Sequence, residues 1–249
     1  INKDINYYIY NAFEKPSGYY GYDYYAYKYY SNYKYYSYES KDDWSIMTTH
    51  DYALNSATPF DFAKKYASRL SEIFNELEPD EINILVEKLI EARENDATIF
   101  TAGNGGSATT ASSMGNDLGF DILKKTGTNK PFRFHPLTDN VASITAISND
   151  SDYRYIFLEQ LKLHYRKGDL LLVISASGNS PNLVECSDWV QEQGGEVIAL
   201  LGFDGGVLLN KADHTVHFKT HNSEYGIVED AHLSVNHILA HWFQANIKD

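Results

Sequence analysis

Two stretches decide the fold of this 249-residue chain: Ala97-Thr-Ile-Phe-Thr-Ala-Gly-Asn-Gly-Gly-Ser107 and Asp169-Leu-Leu-Leu-Val-Ile-Ser-Ala-Ser-Gly-Asn-Ser-Pro181. Each begins as a short apolar run, which predicts a buried strand, and continues through a Gly- and Ser-rich turn into a helical pattern. Residues 196–201 repeat this form, and residues 132–137 and 214–218 are further strand candidates. Strands that alternate with helices predict a mostly parallel sheet with helices on both faces, a three-layer α/β sandwich.

A helical hairpin precedes the first strand. Apolar residues recur at steps of three and four from Ala63 to Leu77, which predicts one amphipathic helix beginning near Pro59. Pro79 and the acids after it suit the first turn of a second helix, which we expect to reach residue 93. The hairpin has more apolar surface than one sheet face needs, which favours an oligomer.

Composition and charge exclude several classes of protein. The formal net charge is −13, and residues 1–46 hold five lysines against six acids, so the acidity belongs to the later part. Such a surface repels nucleic acids and anionic membranes. Cys186 is the single cysteine, which excludes an internal disulfide and fits a reducing, cytoplasmic setting. We find no signal peptide and no apolar run long enough to span a membrane.

The first 46 residues differ from the rest. Of 21 tyrosines, 15 lie between Tyr7 and Tyr38, interleaved with Gly, Ser and Lys, so no buried face can be drawn. We expect a disordered low-complexity tail, followed by one domain over residues 47–249. The tail also resembles the Tyr-rich C-terminal end of bacterial capsule tyrosine autokinases. Since Met47 directly follows the change in composition, we expect it to be the natural start.

Both turns suit a phosphate ligand. Glycine lets backbone N–H groups face a ligand, and the N-terminus of the following helix adds partial positive charge. A tight strand-to-helix connection needs glycine in any case, so residues 103–107 alone decide little. The second turn adds hydroxyl donors from Ser175, Ser177 and Ser180. Because parallel strands end at one edge of a sheet, the two turns together predict a site for a small phosphorylated ligand.

These turns, with Gly202-Phe-Asp-Gly-Gly206 and with Glu229, His232 and His237, resemble the sugar isomerase (SIS) fold and, within it, the phosphoheptose isomerases. The resemblance covers about residues 59–245. It implies an aldose–ketose isomerase that converts a sedoheptulose 7-phosphate-like sugar for surface polysaccharide. It also implies a homotetramer without an organic cofactor. The alternative is a non-catalytic SIS protein that binds or senses a sugar phosphate, because folds host many functions.

The resemblance also implies which residues form the site. The phosphate and the sugar are expected at Asn104, Gly105, Gly106, Ser107, Asp150, Ser175, Ser177, Asn179 and Ser180. Isomerisation needs a base, an acid and stabilisation of the enediolate between them. By resemblance, Asp117 and His237 are the acid–base pair, with Glu229 as an auxiliary base or metal ligand.

The reactive end departs from the family pattern. Ser113 stands where the family has a His, and Asp117 and Glu229 stand where it has Glu and Gln. In some members these positions, with the last His, hold zinc, so Asp117, Glu229 and His237 are the candidate ligands for one divalent metal here. Glu229 and His237 lie about 12 Å apart along a helix, and this oxygen-rich set suits Mn or Mg better than Zn, or no metal.

Plainer interpretations stay open for several of these residues. His232, His237 and His241 are also the pattern of a helix surface, and the two acids could be ordinary solvated carboxylates. Loss of the family His at Ser113 favours the non-catalytic alternative, whereas His237 with its acids favours the enzyme. Cys186 lies at helical spacing among apolar residues, which predicts a small core residue.

Overall fold

Five parallel strands form one sheet in the computed structural model of the chain, which describes residues 47–247. The strands are β1 (Thr98–Gly103), β2 (Arg133–Pro136), β3 (Leu170–Ser175), β4 (Glu196–Leu201) and β5 (His214–His217), in the spatial order β2-β1-β3-β4-β5. Each agrees with its predicted range to within one residue. The Tyr-rich tail lies outside the described residues, so its disorder, the boundary at residue 46 and the start at Met47 stay predictions.

The centre of the sheet is β3, whose residues are all buried. It pairs in parallel with β1, where Leu170 faces Ile99, and with β4, where Leu170 faces Glu196. Asp169, predicted as the first residue of this strand, instead precedes it. Its carboxylate accepts the backbone N–H of Thr98, the first residue of β1, and that of Arg166, each at 2.7 Å. A strand buried on both faces reads as an unbroken apolar run, which is why the sequence shows no alternation there.

Helices cover both faces of the sheet. The α-helices are α1 (Thr49–Leu54), α2 (Pro59–Asn75), α3 (Pro79–Glu94), α4 (Gly106–Met114), α5 (Asp121–Thr126), α6 (Val141–Asp150), α7 (Leu158–His164), α8 (Pro181–Glu192), α9 (Leu208–Lys211) and α10 (Tyr225–Asn246). A 3₁₀ turn occupies Tyr153–Tyr155. The predicted hairpin is α2 and α3. None of the described helices is long and apolar enough to cross a bilayer.

Successive residues of β3 contribute to two separate cores. Leu170, Leu172 and Ile174 pack with α2, α3, α4 and α10, whereas Leu171 and Val173 pack with α7 and α8. Cys186 of α8 belongs to the second core and is fully buried. Burial raises the pKa of its thiol well above the ordinary value, so the residue is a small apolar side chain rather than a nucleophile. The predicted three-layer α/β sandwich is confirmed.

The helix that follows β1 is not regular. The sequence predicts one helix over residues 108–118, but α4 ends at Met114 and a π-helix spans Gly115–Phe120. Gly115 lies tightly against β2, since a Cβ there would stand 2.5 Å from Cγ of Pro136. A π-helix shifts the register of the residues beyond it, and such segments are frequent at functional sites. Asp117 lies within it.

The helical hairpin is fixed to α10 by a polar contact. The hydroxyl of Tyr66, on α2, donates to Oδ2 of Asp230 at 2.6 Å. Burial and this carboxylate raise the pKa of Tyr66 well above its ordinary value, so the phenol stays protonated and keeps donating. Because Asp230 adjoins Glu229 in the chain, the contact fixes the beginning of α10 close to the predicted site.

Candidate functional site

The loop that connects β3 to α8, residues 175–180, is the candidate phosphate site, and we call it the cradle loop. Within it the backbone N–H of Gly178 donates to Oγ of Ser175 at 3.0 Å, and that of Asn179 donates to Oγ of Ser177 at 3.3 Å. Ser180 is the N-cap residue of α8, yet its hydroxyl makes no capping bond. The N-terminus of α8 therefore combines a partial positive charge with a hydroxyl that its own helix does not use.

A second loop, residues 202–207, supports the cradle loop from one side, and we call it the bracing loop. The carbonyl oxygen of Gly178 accepts the N–H of Leu208 at 3.0 Å, just beyond this loop. Asn179 accepts the N–H of Val207 at 2.9 Å through Oδ1 and donates to the carbonyl of Ser177 at 2.9 Å through Nδ2. Although Asn179 is a predicted phosphate ligand, its side chain is largely engaged within the protein, so it shapes the loop.

The turn after β1 forms the second half of the site. Gly105 has φ +56°, which suits glycine, and Ser107 is almost fully buried at the start of α4. A Cβ at Gly106 would overlap with the carboxylate of Glu229, so a side chain there would have to displace it. Glu229, from α10, thus lies against the N-terminus of α4, where a negative charge is stabilised.

Asn104 is held in a polar network that ties this turn to two other elements. Its Oδ1 accepts from Nδ2 of Asn182 at 2.8 Å and from the hydroxyl of Tyr153 at 2.8 Å, while its Nδ2 donates to Oδ1 of Asn182 at 3.0 Å. The second N–H of the Asn104 amide makes no hydrogen bond within the described residues. Tyr153 lies three residues after Asp150, which ends α6. The exposed carboxylate of Asp150 accepts a hydrogen bond from the side-chain amide of Asn149 at 2.8 Å. The network brings the Asp150 segment to the β1 turn.

The reactive end lies where the π-helix meets α10. Nε2 of His237 is 3.8 Å from Oδ2 of Asp117, so the two residues predicted as the acid–base pair stand side by side. Oδ2 also accepts from Nδ2 of Asn236 at 2.6 Å, and Oδ1 accepts from Asn116 at 2.8 Å. The imidazole is 58% exposed and the carboxylate side chain 23% exposed, so both can be reached from solvent.

Comparison with known proteins now decides the family. The model of the SIS domain family matches residues 61–202. This chain belongs to that family. A probable phosphoheptose isomerase from Thermoplasma acidophilum is 32% identical over 177 residues, 71% of this chain and 94% of that protein. The phosphoheptose isomerase of Chlorobaculum parvum is 30% identical over 175 residues, 70% of this chain and 82% of that protein.

A solved structure supports the same assignment. A phosphoheptose isomerase from Francisella tularensis superimposes with a TM-score of 0.64 and 26% identity, covering 74% of this chain and 97% of that one. The expected SIS fold is confirmed, and the chain is an isomerase-like member of the family.

The SIS resemblance implied a divalent metal held by Asp117, Glu229 and His237. Within residues 47–247, no group of three or more His, Cys, Asp or Glu side chains is placed so that it could hold a metal ion. The carboxylate of Asp117 lies beside His237, whereas that of Glu229 lies against Gly106. These side chains do not fit a resident ion, so no step of the reaction is assigned to one. Ser113, at the position where the family has a His, is half-buried.

The three histidines of α10 have different environments. His232 is fully buried, which makes its surface interpretation wrong, and its Nε2 donates to the carbonyl of Leu201 at 3.2 Å. Burial lowers the pKa of His232 to about 4, so the ring is neutral near pH 7. His237 and His241 are exposed. Of these, only His237 is placed beside a predicted site carboxylate in the described part of the chain.

Sequence reasoning missed three residues that the structure adds to the site: Tyr153, Asn182 and Asn236. None belongs to a local motif, because each acts on a residue that is distant in sequence, with separations of 49, 78 and 119 positions. The only signal in the sequence was their polarity, and Asn182 and Asn236 stand on helix faces that are mostly apolar. Both are almost fully buried.

Proposed function

We propose that this protein is an aldose–ketose isomerase of phosphorylated sugars, with sedoheptulose 7-phosphate or a close relative as substrate. The observation that carries the proposal is the pairing of Asp117 with His237, at 3.8 Å, in a chain that also presents a cradle loop. Its isomerase relatives at about 30% identity support the same reaction class. A role in precursor synthesis for surface polysaccharide belongs to this proposal.

The chemistry follows from the two side chains. Asp117, whose oxygens each accept an amide N–H, is held in a fixed orientation and takes the proton from the hydroxymethyl carbon next to the ketone. His237 donates a proton to the ketone oxygen as the enediolate forms. Asp117 then returns its proton to the neighbouring carbon, while the hydroxyl of the first carbon gives its proton to His237 and becomes the aldehyde oxygen. No atom is lost or gained.

Binding of the phosphate would rest on the cradle loop. The backbone N–H groups and the dipole of α8, together with the hydroxyl of Ser180, suit a dianion without a cationic side chain. The remaining N–H of Asn104, with Ser107, Asp150 and the N-terminus of α4 at Gly105 and Gly106, would face the sugar hydroxyls. Glu229 would act as the auxiliary base at that end.

The test is turnover of sedoheptulose 7-phosphate with matched variants. Hydrogen bonds to charged groups contribute about 1.5 to 3 kcal/mol, so Ser180→Ala should weaken sugar phosphate binding roughly tenfold to a hundredfold. His237→Ala should instead abolish turnover while calorimetric binding persists. Ser71→Ala, at an exposed position on α2, should change neither quantity.

The outcomes separate the two functional hypotheses. A parent protein that binds sugar phosphates but turns over none of them, with or without added Mn²⁺, Mg²⁺ or Zn²⁺, would establish the non-catalytic alternative. Unchanged binding by Ser180→Ala would remove the cradle assignment.

We also propose that the working form is a cytoplasmic homotetramer. Large apolar side chains remain exposed on the hairpin and on α10, among them Phe60 at 67% and Trp242 at 53%. Packing against a second subunit would remove this apolar surface from water. Light scattering that gives a monomer at micromolar concentration would contradict this assembly.

A further inference from the structure

We propose that Asn236 is a positioning residue that holds the carboxylate of Asp117 in place for proton transfer. Asn236 lies on α10, has no exposed surface, and donates from Nδ2 to Oδ2 of Asp117 at 2.6 Å. The two residues are 119 positions apart, so this bond joins the π-helix to α10 directly. The proposal rests on the proposed function, because it gives Asn236 a role only through the base of that reaction.

The carboxylate of Asp117 fixes the orientation of the Asn236 side-chain amide. A carboxylate only accepts hydrogen bonds, so the NH₂ group of Asn236 must face Asp117 and its Oδ1 must face the opposite way. That oxygen is buried and has no hydrogen-bond partner among the described residues. An unpaired buried acceptor destabilises a fold. A leucine at position 236 would leave no unpaired acceptor there. Buried polar groups that lack a partner call for an explanation, and a functional role supplies one.

Neighbouring residues complete the arrangement. Asn116 holds Oδ1 of Asp117 at 2.8 Å, and Asn236 holds Oδ2, so both carboxylate oxygens have a fixed direction. His237 comes directly after Asn236 in the chain, and successive residues on an α-helix of 3.6 residues per turn point in different directions. Asn236 therefore points into the interior while His237 stays exposed, and the same carboxylate meets both. Removal of the amide would leave Oδ2 free to turn away from the imidazole.

The experiment compares Asn236→Leu with Leu239→Ala, a truncation of another fully buried residue on α10. Asn236→Leu should lower kcat for sugar phosphate turnover by about tenfold to a hundredfold, the scale expected when a reacting group is misplaced. KM should change less than about twofold, and the melting temperature should be unchanged or higher. Leu239→Ala should show the reverse, a lower melting temperature with kcat kept. Asn236→Ala, which adds no volume, should repeat the loss of kcat if the leucine fails to fold.

A second measurement is independent of activity. The stabilities of Asp117→Ala, Asn236→Leu and the double variant, measured by urea unfolding, should be non-additive because the two side chains share one bond. Additive stabilities, or Asn236→Leu with the kcat of the parent, would overturn the proposal. Parallel losses of kcat and stability, as in a purely structural contact, would do the same. If the parent turns over no sugar phosphate, the proposed function fails, whereas the stability cycle still decides whether Asn236 holds Asp117.

Discussion

Gly178→Ala is the substitution that best tests the architecture of the cradle loop. Gly178 has φ +61°, a left-handed conformation that costs a residue with a side chain roughly 1 to 2 kcal/mol. In addition, a Cβ at this position would overlap with the carbonyl oxygen of Gly205, which is backbone and cannot rotate away. The cradle and bracing loops would have to separate, so we expect a total loss of about 3 kcal/mol or more in the free energy of unfolding.

Gly194→Ala provides the matched control. Gly194 also has a positive φ, +76°, but nothing lies within 4 Å of its Cβ position. This variant should therefore show the conformational cost alone, roughly 1 to 2 kcal/mol. Urea unfolding gives both free energies, and calorimetry with a sugar phosphate gives the effect on binding, which should fall only in Gly178→Ala. Equal destabilisation by the two substitutions would show that the two loops do not support each other as described.

Three further predictions concern other parts of the molecule. The folded-state pKa of His232, about 4, lies below its ordinary 6.5, so the unfolded chain binds the proton first and stability falls as the pH drops through this window. His232→Gln, which can still donate to Leu201, should remove a pH dependence of up to about 3 kcal/mol in urea unfolding between pH 7 and 4. Gly106→Ala should displace Glu229 and lower sugar phosphate turnover with little effect on binding of inorganic phosphate, as compared by kinetics and calorimetry. A chain that starts at Met47 should keep its oligomer size and melting temperature, and a loss of several degrees would show that the Tyr-rich segment packs on the domain.

Much of the fold could be predicted because it depends on local patterns. The apolar runs of β1, β3 and β4 and the prolines that begin α2, α3 and α8 are strong signals within a few residues. The π-helix could not be predicted in this way. Its first residue, Gly115, lies against Pro136, and a glycine within a helical pattern does not reveal which distant residue comes close to it.

The candidate site also has a part that local sequence predicts and a part that depends on contacts between distant residues. The cradle loop and the turn after β1 are each contiguous in sequence, so their glycines and serines together predict a phosphate site. The surroundings of Asp117 are assembled from α10 and the π-helix, and the role of Asn236 emerges only when the two elements meet. The sequence likewise suggested a metal set from matching positions, but a ligand set requires a common centre, which the described side chains do not provide.

The parallel pairing of β1 with β3 has a consequence for how the protein folds. Ile99 and Leu170 are neighbours in the sheet although 71 positions separate them, and no tight hairpin can bring them together. Contacts between distant parts of a chain require large loops to close first, which slows folding. The contact between Asp117 and Asn236 spans a still longer loop, so after dilution from urea we expect secondary structure to recover before catalytic turnover does.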